Sequence, residues 1–293
     1  ITINESMIKF INWFSTYNIT SKGLVLKMCL GDKNNITKVE KNEFNQVIIE
    51  QNKYILNDQQ KTSLKNLIKF GNKFNASVLE GVTGSGKTLV YFERIKEIIK
   101  KNKQALVLLP EIFLTTQFKE RFHDFFGFNP AIWHSKITQK NKRKLWQGIT
   151  INKIKLVIGA RSSLLLPFKN LGLIVVDEEH DPSYKQEEGI IYNARDMAIM
   201  RASIENIPVN LVTSIPSLET YNNILNNKYN HTLIKKRFND YPFPTAKIIN
   251  LNLEKLKENL IAGETVNLVN DYLKKKEQVL FFLNRRGYSP FLI

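Results

Sequence analysis

Between Asn4 and Thr16 the residues Ile8, Phe10, Ile11, Trp13 and Phe14 recur near helical spacing, and Gly23 follows as a turn before the apolar run Leu24 to Leu30. From Gly31 to Lys53 the chain is polar, with Lys33, Lys38, Lys41 and several asparagines broken only by Val47-Ile48-Ile49, and it reads as a connector. At Leu56 the pattern changes. Asn57 caps a helix through Lys61, Leu64 and Leu67, and after Gly71 the run Ala76-Ser77-Val78-Leu79 enters a glycine loop. Strand-like runs then recur between helix-like stretches, at Ala105 to Leu109, Lys155 to Ile158, Leu173 to Val176 and Val209 to Val212. Such alternation predicts βαβ units, hence an α/β fold with a parallel sheet covered by helices on both faces. A second series opens near Lys247 with the strand Ile248-Ile249, a helix around Glu264 to Lys275 and a strand from Gln278 to Leu283. There is no internal repeat and no low-complexity tract.

With 293 residues the chain has room for about two domains. Hydrophobic residues at 43% and aromatics at 11% argue for folded cores despite the charge. Cys29 is the single cysteine, and with four histidines it leaves no internal disulfide and no zinc-ligand set, which excludes disulfide scaffolds and zinc fingers. No apolar run reaches the roughly 18 to 20 residues of a membrane span, and no signal-peptide pattern opens the chain, so the expectation is a cytoplasmic protein without a membrane partner. The sequence starts at Ile1 and stops at Phe291-Leu292-Ile293 directly after a strand-like run, so both ends read as cut. Against 27 acidic residues stand 43 lysines and arginines, a net charge of +16 that fits a polyanionic partner. Lysine is abundant throughout, so charge alone does not single out nucleic acid.

Gly81-Val82-Thr83-Gly84-Ser85-Gly86-Lys87-Thr88 fits G-x-x-x-x-G-K-[ST], between a strand and the helical run Leu89 to Ile99. In that pattern the loop amides turn inward around phosphates, Lys87 reaches the β and γ oxygens, and the Thr88 hydroxyl ligates Mg²⁺. Asp177-Glu178-Glu179-His180 follows an apolar run, which puts carboxylates at the C-terminal end of a buried strand, where open α/β sheets bind ligands. Asp177 is placed to hold Mg²⁺, and Glu178 to orient or deprotonate an attacking water. His180 directly after the acids makes the signature D-E-x-H, which resembles superfamily 2 helicases and translocases.

Further phrases narrow the resemblance. LPEI-x-LT-x-Q begins at Leu109, His134-Ser135 follows, and RSSLLLPFKNLGLIVVDEEHD begins at Arg161. SYKQEEG, Ala194-Arg195-Asp196, Pro216 to Thr220 as PSLET, and FLNRRGY complete the set. Together they resemble the bacterial primosomal replication-restart helicases from about Leu56 to the end, and the opening stretch is similar to the end of that family's N-terminal DNA-binding region. The resemblance implies a RecA-like P-loop motor domain at 55–240, the start of a second RecA-like domain at 241–293, and the end of a DNA-binding region with its connector at 1–54. It implies an ATP-dependent helicase moving 3′ to 5′ on single-stranded or forked DNA, which reloads the replication machinery at stalled forks with other primosome proteins and single-stranded DNA-binding protein.

By the same resemblance Gln60 recognises adenine, and His180 and Thr213 couple hydrolysis to DNA. Thr115, Thr116, Arg161 and Ser162 touch the tracked strand, while Tyr184, Lys185, Tyr192 and Arg195 belong to an aromatic-rich loop that meets DNA. The chain departs from the family at Ile215, where a hydroxyl is usual, and at Ile190 and Asn193, which replace an aromatic and a histidine. Between Leu30 and Leu56 there is too little chain for the family's winged-helix domain. A zinc-binding cysteine region and an arginine finger are expected after the N-R-R-G-Y phrase, so no Zn²⁺ ligands fall in these residues, and the chain by itself is expected to bind ATP with Mg²⁺ but turn it over slowly. Two other readings stay open: a double-strand translocase or RNA helicase of the same superfamily, and a degenerate motor serving as a DNA- or partner-binding module.

Overall fold

Leu171–Asp177 is buried at all seven positions, which suits a strand with neighbours on both sides and helices over both faces. The computed structural model describes residues 3–32, 34–37, 54–110, 116–238, 242–250 and 261–282. In chain order its elements are α1 (Glu5–Tyr17), α2 (Lys22–Leu30), α3 (Asn34–Thr37), α4 (Asp58–Lys69), β1 (Asn75–Gly81), α5 (Lys87–Lys100), β2 (Gln104–Leu108) and α6 (Thr116–Phe126). Then follow β3 (Ala131–Trp133), α7 (Gln139–Thr150), β4 (Leu156–Gly159), β5 (Leu171–Asp177), the short pair β6 (Lys185–Gln186) and β7 (Tyr192–Asn193), α8 (Ala194–Glu205), β8 (Pro208–Thr213), α9 (Leu218–Leu225), β9 (Asn230–Ile234) and α10 (Gly263–Lys274).

Seven strands form one parallel sheet in the order β3-β4-β2-β5-β8-β1-β9. Side chains alternate between its faces, so Leu106, Leu108, Ile174 and Val176 join one core, and Ala105, Val107, Leu173 and Val175 the other. The α/β fold expected from the sequence is the one observed. Residues 1–241 make one compact unit and 242–293 a second. Helices α1 and α2 lie within the first unit: Phe10 and Phe14 enter the first core, and the Trp146 indole donates to the Cys29 carbonyl at 2.9 Å. No helix of the described residues is long and apolar enough to cross a membrane.

Several elements differ from the sequence pattern. Gly23 is not a turn but sits in the first turn of α2, whose amide at Leu24 is capped by the Ser21 hydroxyl at 3.3 Å. The first turn lies outside the helix middle, where glycine costs about 0.5–1 kcal/mol relative to alanine. No strand forms at Ile248-Ile249 or over 278–282; Leu283 lies outside the described residues. A strand needs a partner to satisfy its backbone, and these segments have none among the described residues: Ile248 is 93% exposed and Leu280 90%. Strands β3 and β9 escape the pattern, β3 being three residues long and β9 a half-polar edge.

Candidate active site

Strand β1 stops at Gly81 and α5 starts at Lys87, so Val82, Thr83, Gly84, Ser85 and Gly86 form the turn between them. Gly84 and Gly86 adopt φ of +81° and +78°, in the left-handed region that side chains disfavour. A Cβ on Gly86 would also collide with the Gln60 amide nitrogen. Lys87 Nζ donates to the Gly81 carbonyl at 2.6 Å. Burial lowers the pKa of Lys87, while Glu178, Asp177 and Glu80 pull it back up. Beside this turn lies a cavity of about 420 Å³, lined by Thr83, Gly84, Gly86, Lys87, Thr88, Asp177 and Glu178, with Tyr54, Leu89, Phe92, Arg121 and Phe238 completing the wall.

Gln60 does not line that cavity, contrary to the adenine-reading role expected of it. It is fully buried. Its Oε1 accepts from Asn57 N at 2.9 Å, closing a capping box with the Asn57 side chain, and its Nε2 donates to the Ser85 carbonyl at 3.0 Å. Both ends of the amide are thus spent on protein, and Gln60 pins the glycine turn to the start of α4.

Across the cavity Asp177 ends β5. Its Oδ2 accepts from the Tyr91 hydroxyl at 2.8 Å and its Oδ1 from the Glu178 amide at 3.0 Å. Burial, aided by the nearby Glu178 charge, raises the Asp177 pKa to about 6. Glu178 has φ of +48°, a strained conformation for a non-glycine residue, of the kind that concentrates at functional sites. Two carboxylates against one half-buried ammonium leave a surplus of negative charge that suits a divalent cation, with the Thr88 hydroxyl on the same cavity wall. Tyr91 was not singled out by the sequence; its place one helical turn after Lys87 was the available signal.

His180 Nδ1 lies 2.7 Å from Thr213 Oγ1, so these two sequence-selected residues do meet. The Thr213 hydroxyl donates to the Ile215 carbonyl at 2.8 Å, which uses its proton and assigns the hydrogen of the contact to Nδ1. The departure at Ile215 leaves this link intact, because that side chain is exposed and the backbone serves Thr213. Glu179, unremarked in the sequence, is buried and gathers donors from Ser217 N at 2.8 Å, Ser217 Oγ at 3.1 Å, Thr220 Oγ1 at 2.9 Å and Arg195 at 3.3 Å.

A second cleft of about 260 Å³ runs along the ends of β2 and β4, lined by Pro110, Ser135, Arg161, Ser162, Ser183 and Gln186 among others. Arg161 donates to the Lys185 carbonyl at 2.5 Å, and Ser162 and Lys185 are exposed. The other expected DNA contacts need correction. Tyr184 is buried with its hydroxyl between the Asp177 and Leu108 carbonyls, at 2.5 and 2.9 Å. Tyr192 is buried edge-on to Phe14, and burial pushes its phenol up to about 12. Arg195 is buried too, held by Glu179, Asp196 and Ser217. All three side chains are buried, and of them Tyr184 also lines the second cleft. Thr115 lies outside the described residues, as do the side chain of Thr116 at the start of α6 and the phrase 284–288.

The family model described as Type III restriction enzyme, res subunit, matches residues 53–234. Over 298 aligned residues the chain is 41% identical to Replication restart protein PriA of Rickettsia felis, covering 100% of this chain and 45% of that protein. Its identity to the protein of the same name from Haemophilus influenzae is 40% over 249 residues, 85% of this chain and 34% of the relative. The chain therefore spans less than half the length of these curated relatives. Among solved structures, that of RecG bound to a three-way DNA junction matches with a TM-score of 0.50 and 19% identity, over 76% of this chain and 28% of the other, a likeness of fold.

Proposed function

The chain belongs to the family described as Type III restriction enzyme, res subunit, and on that premise we propose that it is the motor part of an ATP-dependent DNA helicase acting in replication restart. The reading extends to 3′ to 5′ movement on single-stranded or forked DNA and to reloading of the replication machinery at stalled forks. Similarity to replication restart proteins over the whole chain supports the restart role. Residues 55–240 are proposed as the ATP-binding motor domain, 241–293 as the start of a second, and 1–54 as the end of a DNA-binding region with its connector. Forked DNA, primosome proteins and single-stranded DNA-binding protein are the proposed partners.

The observation that carries the reading is that the glycine turn and the Asp177-Glu178 pair face one cavity. In it the loop amides and Lys87 hold the phosphates of ATP, and Glu178 orients or takes the proton of the attacking water. Thr88 and Asp177 would hold Mg²⁺, which neutralises phosphate charge. His180 and Thr213 tie the acidic turn to the end of β8, so that Arg161 and Ser162 in the second cleft, with Lys185 joined to Arg161 through its carbonyl, gripping backbone phosphates without reading bases, report DNA to the nucleotide. The test is nucleotide binding by fluorescence: Lys87→Ala is expected to weaken ATP at least tenfold, and equal binding would overturn the assignment. On tailed duplexes, unwinding from a 5′ tail in place of a 3′ tail would overturn the polarity.

A further inference from the structure

From Phe125 to Val176 the chain carries nine lysines and arginines and not one aspartate or glutamate, so more than half of its net +16 falls in this stretch. The densest part is α7 and the turn before it. Lys136, Lys140 and Lys144 are exposed there, with Lys142 and Arg143 between them half-buried. This arrangement opposes helix stability in two ways. Lys140 and Lys144 are like charges four residues apart, which costs a few tenths of a kcal/mol. Lys140, Lys142 and Arg143 also crowd the N-terminal half of α7, near the positive end of its dipole, with no acidic residue in the first turn. A row of external anions relieves both penalties.

The position of the ridge suggests which anions. Lys142 Nζ donates to the Ser135 carbonyl at 3.3 Å, and Ser135 lines the second cleft, so the ridge continues outward from the groove proposed for the tracked strand. Single-strand sites pair cations with aromatic platforms for unstacked bases. The ridge has none: Trp146 on the same helix is buried, and the exposed positions are Gln139, Lys140, Asn141 and Lys144. A surface that offers charge without stacking suits a ligand whose bases are already stacked inside, touched through its phosphates alone.

We propose that Lys136, Lys140 and Lys144 bind the backbone of double-stranded DNA adjoining the strand in the cleft. The proposal rests on the DNA-motor reading and adds a duplex-specific contact to it. The test is binding of the chain, by fluorescence anisotropy across a salt series, to a fork with duplex arms and to single-stranded DNA of equal length. In the triple variant Lys136→Gln, Lys140→Gln, Lys144→Gln the slope of log K against log salt for the fork is expected to become shallower by about 2 to 3, at about 0.9 for each phosphate no longer neutralised. Single-strand affinity is expected to stay as it was, and the triple Lys→Arg variant to behave as the parent. Equal losses on both DNAs, or no loss on either, would overturn it, as would an acidic peptide that competes for the ridge better than duplex does. Failure of the parent chain to bind any DNA would remove the motor reading itself, a different outcome. Neutral surface substitutions leave the core untouched, and an unchanged or raised melting temperature checks this.

Discussion

The phenol of Tyr91 donates to Oδ2 of Asp177 at 2.8 Å in a fully buried setting, so a helix side chain from the glycine-loop half of the site holds the carboxylate of the other half. Tyr91→Phe keeps the ring and removes one hydrogen bond to a charged acceptor, worth about 1.5 to 3 kcal/mol. Thermal unfolding at neutral pH with a chelator present is expected to show a loss of that order, and a much smaller one at pH 5, where Asp177 holds its proton. Equal losses at both pH values would refute the assignment.

The raised pKa of Asp177 makes its ionisation a burden on the fold. The native carboxyl, at about 6, keeps its proton where the unfolded one, near 3.8, has lost it. Its contribution to stability is therefore present at low pH and fades as pH rises from about 4 to about 6. Asp177→Asn removes the burden, and its one oxygen still accepts from Tyr91, at the loss of the bond from the Glu178 amide. At pH 7 without metal it is expected to melt higher, by up to about 2 to 3 kcal/mol for a shift of about two units, while ATP hydrolysis is lost. A variant less stable than the parent at pH 7 would contradict this.

Because Gln60 spends both ends of its amide on protein, Gln60→Ala is expected to act through the loop. It should cost about 1 kcal/mol as a lost cap and weaken ATP and GTP by the same factor. A selective loss of ATP over GTP, read by competition binding, would restore the adenine-reading role.

Thr213→Val removes the hydroxyl beside His180 at nearly constant volume. Nucleotide affinity is expected to hold within about twofold, while stimulation of hydrolysis by DNA falls by tenfold or more. A proportionate fall in basal and stimulated rates would mean that the contact serves the site directly.

Glu179 is buried among four donors, so Glu179→Ala leaves the Ser217 amide and the Ser217 and Thr220 hydroxyls without their acceptor, while Arg195 keeps Asp196, and is expected to destabilise by about 1 to 3 kcal/mol in denaturant titration. Glu179→Gln, which still accepts, should lose less than half of that.

The glycine loop, Asp177, Glu178, His180 and the parallel sheet were legible in the sequence because each rests on local chemistry: a turn that demands glycine, an apolar run that demands burial. What escaped depends on partners distant in sequence. Tyr184 and Tyr192 read as aromatics of a loop, free either to stack on bases or to pack that loop; Tyr192 packs against Phe14 and Tyr184 reaches the Leu108 carbonyl, neighbours that no local pattern encodes. Arg195 likewise reads as a surface cation until Glu179 closes on it. Gln60 was singled out for adenine by its place ahead of the loop in sequence, whereas its contacts in the structure are with Asn57 and Ser85, which occupy its amide.

Strand β8 separates β1, which delivers the glycine turn, from β5, which delivers the carboxylates. Neighbouring strands lie about 4.8 Å apart, so two such steps place the two banks of the cavity roughly 10 Å from each other. That width is imposed by main-chain hydrogen bonds along β8. Except at its last residue, Thr213, the strand can therefore exchange one apolar side chain for another without altering the breadth of the cleft. Loss of its register, by contrast, would shift both banks at once and spare neither, which makes β8 the gauge strand of the cavity.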